Sequence, residues 1–190
     1  MQQDLHQHMH QTGLIHPSFH GDVETLKPAA ILIPLVKRNE QVRILLTRRS
    51  IHLAHHPGQV SFPGGRIEPT DINPQCAALR ETFEEIGHAQ NQIELIGEFW
   101  PYHSRTGFHI TPFVGWLNPP YDFKPQPQEV ESIFEVPADL LLNSENFTLQ
   151  SWEKDGKQHQ FYSLYYETHH IWGVTADILF QLSHALKLIK

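Results

Sequence analysis

One cysteine, Cys76, is all that 190 residues contain. Its solitude excludes an intrachain disulfide and a cysteine-based zinc cluster, and it fits a reducing compartment. No apolar run approaches the roughly 20 residues that cross a bilayer as a helix. The opening stretch MQQDLHQHMHQTG lacks the basic start and apolar core of a secretory signal. A cytoplasmic protein with no membrane partner is therefore expected. Positive charge is also scarce: 14 Lys and Arg against 21 Asp and Glu leave a formal charge of −7. That balance argues against a nucleic-acid partner. An anionic small-molecule substrate would need local cations or a bound metal. Internal repeats and interdomain linkers are missing too, and a chain of this length fills one well-buried core more readily than two.

Histidine, by contrast, is abundant, with fifteen copies. His6, His8 and His10 form one group; His52, His55 and His56 form another. The spacing HLAHH matches no recognised zinc arrangement and no cysteine pairs accompany it, so polar tail and loop is the plainer reading.

Residues 1–28 show little periodicity and read as an irregular lead-in to a single domain over 29–190. AAILIPLV (29–36) and VRILLTRR (42–49) flank the polar KRNEQ and predict a hairpin. Residues 50–74 are rich in Gly, Pro and His and read as loop, with a short strand near Val60 to Phe62. A helix follows, with Asp71 or Asn73 as its cap, Pro74 in its first turn and Gly87 at its end. Residues 92–104 and 107–117 read as strands. NPPYDFKPQPQ is barred by its prolines from a central strand. EVESIFEV (129–136) alternates as a half-buried strand does, and PADLLL gives a short helical turn. FTLQSWEKDGKQHQFYSLYYE reads as a hairpin turning at Asp155-Gly156, and TADILFQLSHALKLIK as an amphipathic helix. The sum is an α/β domain on a mainly antiparallel or mixed sheet.

The stretch ALRETFEEIG (78–87) holds three glutamates. A helical wheel over 75–87 puts Cys76, Leu79, Phe83 and Ile86 on a core-facing stripe. Glu81, Glu84 and Glu85 fall opposite, within roughly 100°, and Ala77 and Ala78 beside them leave room for a large anion. Exposed like charges at i,i+4 cost about 0.2–0.5 kcal/mol. A hard divalent cation would turn that cost into a binding site; an ordinary solvated acidic face is the alternative. The preceding FPGGRIEPTD favours the first reading, because two glycines allow a tight turn and close backbone approach to a metal or phosphate. A glycine turn followed by a glutamate-bearing helix suits metal-assisted diphosphate cleavage.

On these residues the chain resembles the Nudix hydrolases, whose box runs G-x5-E-x7-R-E-U-x-E-E-x-G-U, with U a bulky apolar residue. Gly65 takes the first glycine and RETFEEIG (80–87) the second half. Asp71 replaces the first glutamate, with one residue more than usual between it and Arg80, and Thr82 sits where an apolar residue is usual. An extra box residue is similar to the coenzyme A diphosphatase branch, whose upstream signature is L-L-T-x-R-[SA]-x3-R-x3-G-x3-F-P-G-G. LLTRRSIHLAHHPGQVSFPGG (45–65) matches it except at Ala54, where the second arginine is expected. RTGFHITPFVG, EVESIFEVP and IWGVTADIL also resemble this branch, so the likeness covers about 29–187.

The resemblance implies an α/β/α sandwich on a mixed sheet and Mg²⁺ or Mn²⁺ held by Glu81, Glu84 and Glu85, with a backbone carbonyl near Gly64 or Gly65 assisting. It implies that Arg80 orients a box carboxylate and that Asp71 caps or braces the helix. Glu129 or Glu131 could add a remote carboxylate, as metal ligand or general base, or face solvent only. Arg49 and Arg66 suit substrate phosphate because guanidinium binds it through paired hydrogen bonds; surface salt bridges are the alternative. Arg48, Arg105 or a nearby histidine are candidates to replace the charge missing at Ala54. The implied substrate is coenzyme A or its thioesters, and a homodimer is compatible with the sequence. Nudix hydrolysis of ADP-ribose, NADH or dinucleoside polyphosphates stays open, as does a non-catalytic Nudix-fold binding module.

Overall fold

A computed structural model describes residues 25–154 and 157–187. β1 (Lys27–Arg38) and β2 (Gln41–Arg49) form the expected hairpin, paired from Leu35 with Ile44 to Arg38 with Gln41. Asn39 and Glu40 both adopt positive φ, 47° and 66°, the conformation that lets a two-residue turn follow the strand twist. β3 (Val60–Ser61) and β4 (Gly64–Arg66) follow, then α1 (Pro74–Ile86). β5 (Ile93–Glu98), β6 (Tyr102–His103) and β7 (Phe108–Leu117) come next, then β8 (Val130–Pro137) and α2 (Ala138–Leu141). The chain continues through β9 (Thr148–Lys154), β10 (Lys157–Tyr166), β11 (His169–Trp172) and α3 (Val174–Lys187).

Among the described residues the main sheet has eight strands: β3-β2-β1-β7-β5 in order, with β4 also on β1, β6 on β7 and β8 on β2. β1 and β7 run parallel, from Lys27 beside Phe108 to Leu35 beside Trp116; the other pairs are antiparallel. Leu32, Ile33, Ile44, Leu45 and Leu46 are fully buried. Burial of each contributes about 1.5–3 kcal/mol, so the sheet's register is held on both faces at once. One face packs Ala30, Leu32, Val36 and Leu45 against Ala77, Ala78 and Ile86 of α1. The other packs Ile33, Ile44 and Leu46 with Leu164, Ile171, Ile178 and Leu179 of the small sheet and α3. The result is the expected α/β/α sandwich on a mixed sheet.

Several elements depart from the sequence reading. β1 begins at Lys27, inside the segment read as lead-in. The strand expected over 92–104 is broken into β5 and β6, and FPGG contributes β4 instead of a free loop. β9, β10 and β11 form a separate antiparallel sheet; the turn expected at Asp155-Gly156 lies outside the described residues. Asn73, not Asp71, caps α1, accepting the Cys76 N–H at 2.9 Å. Gly87 ends that helix at φ 72°, its N–H bonded to the Phe83 carbonyl, where glycine avoids the strain of a side chain.

α3 is tied to both sheets by its first turn. Asp177, 2% exposed, accepts the Tyr102 hydroxyl at 2.6 Å and the Tyr162 N–H at 3.0 Å. The Thr175 hydroxyl donates to the Val60 carbonyl at 3.0 Å.

Candidate active site

Pairing of Gly64 with Ile31 and Gly65 with Ala30 lays β4 along β1, directly beside α1. A Cβ at Gly64, whose φ is 150°, would overlap the Ala30 carbonyl, and one at Gly65 would overlap the Glu81 carboxylate. Close backbone approach therefore requires glycine at position 64, whereas a side chain at position 65 would push the Glu81 carboxylate aside.

The helix presents a different inner face from the one its apolar residues predict. Ala77, Ala78, Thr82, Glu85 and Ile86 are buried, while Phe83 is 51% exposed. Cys76 and Leu79 are half-buried. Two alanines with almost no bulk let α1 settle close on the sheet, and that closeness turns the helix by enough to expose Phe83. Ala77 and Ala78 therefore fill core, and leave no room for an anion. Thr82 satisfies its hydroxyl on the Ala78 carbonyl at 2.7 Å, which permits a polar residue at an apolar position.

Glu85 is thus not on a solvated face: it is 3% exposed. Its carboxylate accepts one hydrogen bond, from the Gly64 N–H at 3.2 Å. Burial pushes its carboxyl up to about 8; the Gly64 bond and the charge of Arg49 oppose this, while Glu81 and Glu129 add to it. Burial likewise raises Glu81, against the pull of Arg80. Arg80 joins the outer acids: its Nη1 reaches Glu81 and Glu84, each at 3.0 Å. Nε and Nη2 clasp Asp71 at 3.0 and 2.9 Å, and Nη2 also donates to the Arg66 carbonyl at 3.1 Å. Asp71, held low by that guanidinium, accepts the Glu68 N–H at 2.8 Å. It braces the helix from the side.

The proline-rich connection supplies the remaining wall. Lys124 and Gln126 donate their N–H groups to the carbonyls of Ile86 and Glu85 at 2.8 and 3.0 Å, satisfying the open end of α1. The same segment carries Glu129, exposed, whose charge is felt by both Glu81 and Glu85. Glu131 instead pairs with Arg48 at 3.3 Å. The Arg49 Nε is buried without a hydrogen-bond partner among the described residues, and the charge of this side chain acts on Glu85. Arg66 is exposed, its guanidinium 5.5 Å from the Phe108 ring centre.

The structure therefore brings Glu81, Glu85, Glu129, Arg49, Gly64 and Gly65 together, with Glu84 joined through Arg80 and Arg66 through its backbone. Among the described residues no three acidic, histidine or cysteine side chains converge as they stand on a point fit for an ion; Arg80 occupies the Glu81 and Glu84 oxygens. His52, His55 and His56 are exposed, and His6, His8 and His10 lie outside the described residues. Among the described residues no helix is long and apolar enough to cross a membrane.

Comparison with known proteins gives a consistent result. A model of the NUDIX domain family matches residues 25–159. A protein of Enterobacter sp. (strain 638), named as an uncharacterized Nudix hydrolase NudL, is 38% identical over 170 residues, covering 90% of this chain and 88% of that one. Its namesake in Escherichia coli (strain K12) is 37% identical with the same coverage. Among solved structures, a binary complex of a C. elegans Ap4A hydrolase superposes with a TM-score of 0.51 at 20% identity, over 58% of this chain and 80% of that one. The Nudix hydrolase RenU from M. smegmatis also gives 0.51 at 20% identity, over 60% and 72%; both show likeness of fold. With the family model spanning most of the chain and the relatives matched nearly end to end, the chain belongs to the Nudix family and is a hydrolase of diphosphate-containing substrates.

Proposed function

We propose that this hydrolase cleaves the diphosphate linkage of coenzyme A or its thioesters, giving phosphopantetheine (or its acyl form) and adenosine 3',5'-bisphosphate. The observation that carries the reading is the meeting of the upstream signature with the box. β2 delivers Arg49 and β4 delivers Gly64 and Gly65 to the one buried carboxylate of α1.

Nudix hydrolases generally use divalent metal ions, and the residues here suit one. The donors are carboxylate oxygens, the choice of Mg²⁺ and Mn²⁺. Among the described residues Glu85 is buried with a single backbone hydrogen bond and no ion pair, a costly state for a carboxylate unless a cation joins it. Glu81, Glu84 and Glu85 are its ligands in this reading, with a backbone carbonyl near Gly64 or Gly65, and Arg80 yields the outer oxygens to it. When bound, the ion supplies charge neutralisation at the diphosphate and lowers the pKa of an attacking water. Arg49 and Arg66 grip phosphate oxygens. Glu129, exposed and within electrostatic reach of Glu81 and Glu85, takes the proton of the water as it attacks phosphorus. The second phosphate then leaves on its own oxygen.

A substrate panel tests this: coenzyme A, ADP-ribose, NADH and dinucleoside polyphosphates, each with Mg²⁺, with Mn²⁺ and with a chelator. Metal-dependent turnover of coenzyme A above the others is expected. Efficient cleavage of ADP-ribose with coenzyme A left intact overturns the assignment.

A further inference from the structure

The segment from Lys124 to Glu129, KPQPQE, is exposed at every residue. It buries no apolar side chain, so packing does not set its place on the fold. Main-chain hydrogen bonds do, and Gln126 is at their centre. Its N–H donates to the Glu85 carbonyl at 3.0 Å, and its own carbonyl accepts the N–H groups of Glu129 and Val130 at 2.9 and 2.7 Å. The Glu129 carbonyl then accepts the Ser50 N–H at 2.8 Å, next to Arg49 at the end of β2. Two hydrogen bonds thus join the backbone of the buried carboxylate of α1 to the backbone of Glu129, and a third ties Glu129 to the strand that brings Arg49.

Proline on either side leaves Gln126 with the only N–H of residues 125–127. Pro127 also favours extended backbone at Gln126. The segment therefore meets the end of α1 in one register, because a slip by one residue would bring a proline, with no N–H, to the Glu85 carbonyl. Gly87 guards the same approach: a Cβ there would come within 3.3 Å of the Lys124 Cβ and press the segment off the helix end. Capping alone needs none of this, since water satisfies exposed end carbonyls.

We propose that Pro125, Gln126 and Pro127 form a main-chain clamp that holds Glu129 at a set distance from Glu85, so that the base meets the attacking water in one orientation. The proposal rests on the reading of Glu129 as that base. Gln126 is a positioning residue, acting through its backbone while its side chain is in solvent. Reacting groups must be held close and aligned, and a displacement of about 1 Å costs about 100-fold in rate. An exposed polar tether would leave Glu129 to wander over more than that; the clamp removes the freedom without burying the carboxylate.

Steady-state kinetics of Gln126→Pro, Glu129→Gln and the double variant test the clamp, with Mn²⁺ and whichever diphosphate of the substrate panel is cut fastest. Gln126→Pro removes the N–H while a run of prolines keeps the extended backbone. Its kcat should fall about 10–100-fold, while KM and Mn²⁺ affinity change by less than about two-fold. Glu129→Gln should lower kcat by about 100-fold or more. Adding Gln126→Pro to it should cost almost nothing further, since no base is left to misplace. Gln126→Ala keeps the N–H and should not reproduce the loss. Pro127→Gly loosens the backbone of Gln126 and should reproduce part of it; the same cycle is run with this variant if Gln126→Pro does not fold. Losses that multiply in the double variant overturn the clamp, as does full kcat in the folded clamp variants when Glu129→Gln is impaired. Full kcat in Glu129→Gln overturns the base reading, and the clamp falls with it.

Discussion

Two carboxylates lie equally deep in this protein and are provided for very differently. Asp177, 2% exposed, accepts a tyrosine hydroxyl and a backbone N–H. Glu85, 3% exposed, accepts one backbone N–H at 3.2 Å. Burial of a carboxylate is costly unless hydrogen bonds or a cation offset it. Asp177 has short bonds that join α3, β6 and β10, and so acts as a structural knot. Glu85 has Arg49 near enough to influence it but no ion pair among the described residues, while Arg80 is bound to Asp71, Glu81 and Glu84. Depth alone does not distinguish structure from chemistry; the partners do.

The comparison breaks most sharply on substitution of the two acids. Glu85→Gln keeps the volume and the Gly64 contact but removes the charge; kcat is expected to fall by ~10³-fold or more with metal present, measured by phosphate-product assay. Unchanged turnover would move the chemistry away from this carboxylate.

Proton linkage gives the next effect. Without metal, folded Glu85 binds its proton more tightly than the unfolded chain does, with a pKa of about 8 against 4.5. Between those values the native state holds the extra proton, so stability falls as pH rises from about 4.5 to about 8 and the loss is complete above that. Each pH step of one across that window removes about 1.4 kcal/mol, so the decline amounts to a few kcal/mol. Urea titrations of chelator-treated protein should show this slope, and Glu85→Gln should flatten it. Asp177→Ala acts in a different way. Leaving the Tyr102 hydroxyl and Tyr162 N–H without their acceptor should cost about 3 kcal/mol, a drop in Tm of roughly 6–12 °C. Tyr102→Phe is the mildest change: one bond lost, about 1–2 kcal/mol, read by thermal melts. Thermal melts that ranked Tyr102→Phe below Asp177→Ala in stability would show the knot to be held elsewhere.

The same contrast explains what the sequence disclosed. Alternating and apolar runs marked the β1–β2 hairpin, β7, β8 and α3, because those strands and that helix bury side chains with strong preferences. The ends of α1 were legible from Pro74 and Gly87. Its inner face was not: ranking residues by apolarity chose Phe83 and passed over Ala77, Thr82 and Glu85, since the small residues that let a helix approach a sheet carry little hydrophobic signal. β4 escaped for a related reason. Gly64 and Gly65 pair through backbone alone, so no side-chain pattern announces the strand. The glycines did signal close approach, and the structure shows that approach to be to the Ala30 carbonyl and the Glu81 carboxylate. Asp177 and Tyr102 are 75 residues apart in sequence, and no local pattern links them.

Manganese binding, followed by electron paramagnetic resonance of the free ion, tests the central claim most directly, because it needs no substrate. Glu85→Gln should weaken Mn²⁺ binding by about 100-fold or more, the scale of losing a buried, charged partner, while Tyr102→Phe binds as the wild type does. Wild-type affinity in Glu85→Gln, with the fold intact, would contradict the account.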